Sequence, residues 1–177
     1  MIHYFDANAT TSLCQEALDA YSSTLRDHWH NPSGLYPAAA AAHLLLEDTR
    51  ERLADLLSCG EPGRVVFTSG ATEANNAVFA HFGKTSPRPA VLIGSTEHPS
   101  VLEPANASFF SALETIPTDK NGVTLLPSLR DRLLSPSDTK PALVSVMAAN
   151  NETGVLQPWR EIRDLCAESN IPYHCDA

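Results

Sequence analysis

The stretch Val65-Val66-Phe67-Thr68-Ser69-Gly70-Ala71-Thr72-Glu73-Ala74-Asn75-Asn76 constrains this chain more than any other. Residues 65–68 are a β-branched and aromatic run with the composition of a strand, and residues 74–79 return to helical composition. Between them Ser69, Gly70, Ala71 and Thr72 are small enough for a ligand to lie against the backbone. A helix start leaves its first amides unpaired and the positive end of its dipole exposed, so such a turn favours an anion, typically a phosphate. Glu73 suits the dipole but would repel a phosphate beside it, so its side chain is expected to point away. An ordinary βα turn of small residues has the same appearance, and the anion reading needs support from elsewhere in the chain.

From residue 65 onward, strand-like and helix-like patterns alternate. Residues 90–94 read as a buried strand, 98–111 as a helix, 113–116 as a weaker strand, and 127–134 as a helix opened by Pro127. Ala142-Leu143-Val144-Ser145-Val146-Met147-Ala148 is the best strand pattern in the chain. Pro158 suits a helix start, after which Trp159, Ile162, Leu165 and Cys166 share one face. Asn170 is a plausible left-handed stop before a strand over 171–175. Near-continuous apolar strands separated by amphipathic helices predict an α/β fold, a mostly parallel sheet with helices on both faces. Upstream, 13–27 and 37–58 read as two helices. Ala42, Leu45, Leu46, Leu53, Leu56 and Leu57 form the apolar stripe of the second, and Gly60 closes it. The expected division is an N-terminal helical arm over 1–60 and an α/β domain over 61–177. Pro-rich patches near 87–89 and 136–141 read as surface connections.

The 177 residues fit one domain, with 43% hydrophobic and 19% charged residues, a globular rather than disordered balance. Net charge is −9 and no basic run occurs, which argues against nucleic acid or an anionic membrane as the main partner. Met1-Ile2-His3-Tyr4-Phe5-Asp6 does not resemble a signal peptide, and no apolar run is long enough to span a bilayer. Cys14, Cys59, Cys166 and Cys175 are scattered without Cys-x-x-Cys spacing, so neither a metal site nor a disulfide framework is expected. A reduced, cytoplasmic protein is the simplest reading.

In open parallel sheets, ligands collect at the carboxyl ends of the strands. Four polar sets fall there: Ser69 to Thr72, then Glu97 with His98, then Asn150-Asn151-Glu152, and last His174 with Asp176. Each has a plainer reading. His98 could cap a helix, Asn150-Asn151 could be turn chemistry, and Asp176 could cap a loop. Their convergence on one sheet edge, beside an anion turn, favours a site.

Six motifs now stand in order: Asp6-Ala7-Asn8-Ala9-Thr10-Thr11, Asn31-Pro32-Ser33, the 68–76 segment, Thr96-Glu97-His98, Asn150-Asn151-Glu152-Thr153-Gly154 and Tyr173-His174-Cys175-Asp176-Ala177. In order and approximate spacing they resemble the cysteine desulfurases, and more broadly the class V aminotransferase group of pyridoxal 5'-phosphate (PLP) enzymes, in their large fold-type-I domain. The resemblance covers essentially the whole chain. It implies that Ala71 and Thr72 hold the cofactor phosphate and that His98 stacks on the pyridine ring and moves protons. It further implies that Asn151 bonds the phenolic oxygen or the substrate, and that Asp176 pairs with the ring nitrogen. A carboxylate there keeps the pyridinium protonated, so that the ring accepts electrons. The implied reaction takes sulfur from L-cysteine to an enzyme thiol as a persulfide, leaves alanine, and serves iron–sulfur cluster or thiocofactor synthesis. A homodimer and a sulfur-acceptor or scaffold protein are the implied partners.

The family's cofactor-anchoring lysine lies beyond this point, in a Ser-x-His-Lys motif, and its sulfur-accepting cysteine lies later still. Lys84, Lys120 and Lys140 fall in predicted loops and none matches that motif. None of the four cysteines corresponds to the acceptor, and Cys175 reads as a small buried residue. The chain is therefore expected to be the N-terminal, incomplete part of the large domain, inactive by itself, with an open sheet edge. Asn31-Pro32-Ser33 continues as Gly34-Leu35-Tyr36-Pro37, where the family usually carries a more polar, His-containing stretch. Alternatives are a selenocysteine lyase or another class V aminotransferase, or a non-catalytic degenerate half-domain. Asn-Asn-Glu-Thr-Gly and Thr-Glu-His favour the desulfurase branch.

Overall fold

Ala90–Gly94 (β1) is buried at every position, which an apolar run achieves only as a central strand covered on both faces. The computed structural model describes residues 3–5, 7, 10–85, 90–135 and 140–177, which fall into two compact units, Met1–Phe67 and Thr68–Ala177. In the second unit Ala71–Thr85 (α3) precedes β1. Then follow Pro99–Phe109 (α4), Leu113–Ile116 (β2), Leu126–Leu134 (α5), Pro141–Ser145 (β3), Trp159–Glu168 (α6) and Tyr173–His174 (β4). The strands form one sheet in the order β2-β1-β3-β4, every pair parallel.

Alternation along each strand sorts the core into two layers. Val91, Ile93 and Leu143 pack with Phe79 of α3 and with Val101, Ala105 and Phe109 of α4. Leu92, Ile116, Val144 and Val146 pack on the other face with Leu129 and Leu133 of α5 and Ile162, Leu165 and Cys166 of α6. Phe79, Ile162 and Val144 are fully buried, and each such side chain contributes about 1.5–3 kcal/mol. Helices thus cover both faces, as the sequence predicts. Asn170, at φ +55°, ends the turn after α6 in the left-handed region as expected.

Three expectations need correction. Residues 65–68 are not a strand: Val65 is extended (φ −86°, ψ 116°), but among the described residues nothing pairs with this segment. The last strand pattern, 171–175, shortens to two paired residues. Its ladder continues irregularly, the Val146 and Ala148 amides donating to the carbonyls of His174 (3.1 Å) and Asp176 (2.8 Å). Lys84 lies in the last turn of α3 rather than in a loop, where a cation suits the helix dipole. The Pro-rich patches fall largely outside the described residues.

The first unit holds Gln15–Asp27 (α1) and Pro37–Leu56 (α2). The buried positions of α2 are Ala39, Ala42 and Ala54, whereas Leu56 and Leu57 are 80% and 68% exposed, so the expected leucine stripe is buried only in part. Arg50 lies over the Phe67 ring at 4.9 Å and donates to the Val65 carbonyl. Among the described residues, no helix is long and apolar enough to cross a membrane.

Candidate functional site

Four segments at the carboxyl edge of the sheet build the site. The first is the turn into α3. Thr68 Oγ1 donates to the Gly70 carbonyl at 3.0 Å, and the open space where a Gly70 side chain would stand leaves the backbone accessible. Ala71 and Thr72 occupy the first helical turn, where amides have no intrahelical acceptor. Glu73 has a partner within the turn. It reaches back to accept the Ser69 N–H at 2.6 Å, and that hydrogen bond holds its carboxyl below the usual range. The carboxylate thereby pairs the Ser69 amide, two residues ahead of the first helical residue.

The second segment leads from β1 into α4. His98 is the N-cap of α4 and an exposed residue, its Nδ1 accepting the Ser100 N–H at 3.1 Å and lying 2.8 Å from Ser100 Oγ. The plainer capping reading is therefore correct as local structure, and the cap holds the ring at the sheet edge. Glu97, beside it, is 5% exposed. Its Oε1 accepts the Met147 N–H at 2.7 Å, while Oε2 has no hydrogen-bond partner among the described residues. Burial pushes this carboxyl up to about 7, the Met147 bond opposes the rise, and the negative charge of Asp176 adds to it.

The third segment follows β3. Asn150 donates to the Thr96 carbonyl at 3.0 Å, and its Oδ1 accepts from the amides of Glu152 (3.1 Å) and Thr153 (2.8 Å) and from Thr153 Oγ1 (2.9 Å). Gly154 completes the turn at φ +72°. Asn150 thus builds the turn and ties it to the β1 edge, and Asn151 sits exposed upon it.

The fourth segment is the end of β4. His174 Nδ1 lies 2.8 Å from Ser145 Oγ, and its Nε2 lies 3.1 Å from Asn75 Oδ1. Asn75 Nδ2 reaches Asp176 Oδ2 at 3.3 Å and Ser100 Oγ at 3.0 Å. Burial lowers the His174 imidazole, against an upward pull from Asp176, which favours the neutral ring. Burial raises the Cys175 thiol and pushes that of Cys166 up to about 11, which suits small packed residues rather than nucleophiles.

Through Asn75, one helical turn beyond Thr72, the structure links α3 to Ser100, the hydrogen-bond partner of His98, and to Asp176. His98 and Asp176 are thereby linked through Ser100 and Asn75, with Thr72 three residues before Asn75 in the same helix. Asn75, Ser100 and Ser145 are the participants that sequence reading missed as a network. The burial of Asn75, which would have singled it out, is visible only in the structure. Among the described residues, no group of three or more His, Cys, Asp or Glu is placed to hold a metal ion.

The aminotransferase class-V family model matches residues 3–177. The chain belongs to that family. Among its class-V relatives, a NifS/IcsS protein homolog of Lactobacillus delbrueckii subsp. bulgaricus is 37% identical over 98% of this chain and 45% of its own length. Cysteine desulfurase IscS 1 of Archaeoglobus fulgidus is 34% identical over 98% and 45%. Selenocysteine lyase of Bos taurus is 34% identical over 90% and 40%. A solved NifS-like protein superposes with a TM-score of 0.90 at 32% identity, covering 100% of this chain and 49% of that one. SspA in complex with cysteine gives 0.84 at 28% identity, covering 98% and 50%. The class-V chain thus spans about half the length of the relatives it matches.

Proposed function

We propose that the protein acts as a cysteine desulfurase-type, PLP-dependent enzyme that takes sulfur from L-cysteine and leaves alanine. The observation that supports this reading most is the Asn75 junction, which gathers an anion-ready helix start, an imidazole and a carboxylate at one sheet edge.

The donor set suits PLP. Ala71 and Thr72 lie in the first helical turn, whose amides match a phosphate, and a Cβ at neighbouring Gly70 would meet nothing within 4 Å. The Asp176 carboxylate matches a pyridinium N–H, and the exposed His98 ring matches an aromatic face. Bound PLP supplies an electron sink for charge developing at the substrate Cα. In this reading Ala71 and Thr72 anchor the phosphate, and Asp176 keeps the ring nitrogen protonated. His98 stacks and carries a proton at Nε2, and Asn151 orients the phenolic oxygen or the substrate. Sulfur leaves to a thiol that none of Cys14, Cys59, Cys166 or Cys175 provides, and it serves iron–sulfur cluster or thiocofactor synthesis. A homodimer, a sulfur-acceptor or scaffold protein, and a cytoplasmic setting complete the proposal.

Residues 1–177 are expected to bind PLP saturably without covalent capture. Titrating this chain with PLP and treating it with borohydride tests that expectation. Fixation at Lys84, Lys120 or Lys140 would overturn the assignment of roles, and absence of saturable binding would overturn the cofactor reading. Alanine release from L-cysteine by the protein carrying the anchoring lysine tests the reaction. The bovine relative favours a second reading, selenocysteine as substrate. Comparing L-cysteine with L-selenocysteine separates the two.

A further inference from the structure

Asn75 is 3% exposed, yet it bonds residues 25, 99 and 101 positions away in sequence. Chemistry dictates how its amide is oriented. A carboxylate only accepts, so the NH2 group must face Asp176 Oδ2, and its second proton goes to Ser100 Oγ. The amide oxygen then faces His174 Nε2, which must donate. With that proton at Nε2, His174 Nδ1 is an acceptor and Ser145 Oγ donates to it. Ser100 Oγ, having accepted from Asn75, directs its own proton to His98 Nδ1, where the Ser100 amide also donates. The neutral His98 ring consequently carries its proton at Nε2. One directional chain runs from Ser145 in the core, through His174, Asn75 and Ser100, to the exposed His98.

We propose that Asn75 is a positioning residue for this site: its single buried amide sets the carboxylate of Asp176 and, through Ser100 Oγ, the orientation of His98, whose tautomer the Ser100 amide fixes. The proposal rests on the reading that these two groups face the cofactor. An apolar side chain could fill the same volume, but it could not donate to two acceptors while accepting from His174. Leaving those groups unpaired in a buried position is costly.

The test is long-range 1H–15N correlation of histidine-labelled protein without cofactor, in the parent and in two variants. In the parent, His98 and His174 are expected to be Nε2–H tautomers when neutral. Asn75→Asp removes both N–H donors. The new carboxylate recruits the Ser100 hydroxyl and repels Asp176, so His98 Nδ1 keeps only the Ser100 amide. The His174 titration then moves up by about one pH unit. Ser100→Ala, a single hydroxyl deletion that keeps the proposal testable should the first variant fold poorly, changes His98 Nδ1 and leaves His174 unchanged. A general packing defect would shift neither ring selectively. A parent His98 protonated at Nδ1, or a Ser100→Ala variant with an unaltered His98 signal, would overturn the relay.

A second measurement addresses the link to the site. Asn75→Asp is expected to weaken PLP binding at least about tenfold at unchanged secondary structure. Equal affinity in parent and variant would overturn that link while leaving the tautomer result standing. Failure of the parent to bind PLP at all would count against the cofactor reading instead.

Discussion

The carboxylate of Glu97 occupies the space that a side chain on Gly94 would need: a Cβ built there would lie 2.7 Å from Glu97 Oε1. The last residue of β1 and the acid three positions on are thereby fitted to one another. The same Oε1 atom accepts the Met147 amide and ties the β1 edge to the chain following β3. Gly94→Ala should therefore destabilise the protein by about 1–3 kcal/mol, the usual range for overpacking a filled site. Urea unfolding measures the loss. In a Glu97→Ala background the same substitution should cost little, and an equal cost there would show that backbone rather than Glu97 resists the methyl group.

Glu97 also makes a pH prediction. Its folded-state midpoint is about 7 against an ordinary 4.5, so the native state holds a proton that the unfolded chain has lost between those values. Stability attached to this group is fully present below pH 4.5 and falls as pH rises through 7, by roughly 3 kcal/mol in total. Glu97→Gln keeps the acceptor for Met147 and has no proton to lose. Its stability should be flat over that interval, after allowance for His174, and should exceed the parent's at pH 8. A parent curve that rises from pH 5 to 8 would contradict the assignment.

These two residues show what could be read from the sequence and what could not. β1, β2 and α6 announce themselves because apolar periodicity depends on neighbours a few positions away, and Asn170 declares its left-handed turn by residue type. The segment 65–68 has strand composition, yet a strand exists only with a partner, and composition is silent on pairing. Thr72, His98 and Asp176 stand out in the sequence by motif and residue type. Asn75 does not, because its meaning lies in partners separated from it by 25 to 101 residues. Glu73 is silent for a related reason: its charge alone does not name its partner, the Ser69 amide.

Gln157 supplies a prediction away from the site. It is 4% exposed, and its Oε1 accepts both the amide and the hydroxyl of Thr124 at 2.9 Å, while its Nε2 donates to the Gly122 carbonyl at 2.9 Å. These bonds hold the turn between β2 and α5 against the segment entering α6. Gln157→Leu preserves most of the volume and strands all three backbone and side-chain groups, so a loss of about 2–4 kcal/mol is expected in chemical denaturation. Gln157→Glu should lie between parent and Gln157→Leu at neutral pH, because the oxygen that accepts from Thr124 survives and only the donor to Gly122 is lost. Equal stability of all three proteins would mean that the turn is not held by this side chain.

Asp176 couples the site's ionisations, and removing its charge tests that coupling directly. Its negative charge raises both Glu97 and His174, the first in the same direction as burial and the second against it. Asp176→Asn should therefore lower both midpoints: Glu97 ionises below 7, and His174 resists protonation further. The oxygen that accepts from Asn75 is retained, so the hydrogen-bond geometry survives while the field changes. Carboxyl and imidazole NMR titrations read both groups in one sample. The loss of native-state stability attached to Glu97 should then begin from a smaller penalty and flatten the decline between pH 4.5 and 7. If the Glu97 midpoint stays at its parent value, the two carboxyls do not sense each other. The Asp176 charge would then be screened or turned away from the edge where Glu97, Asn75 and His98 meet.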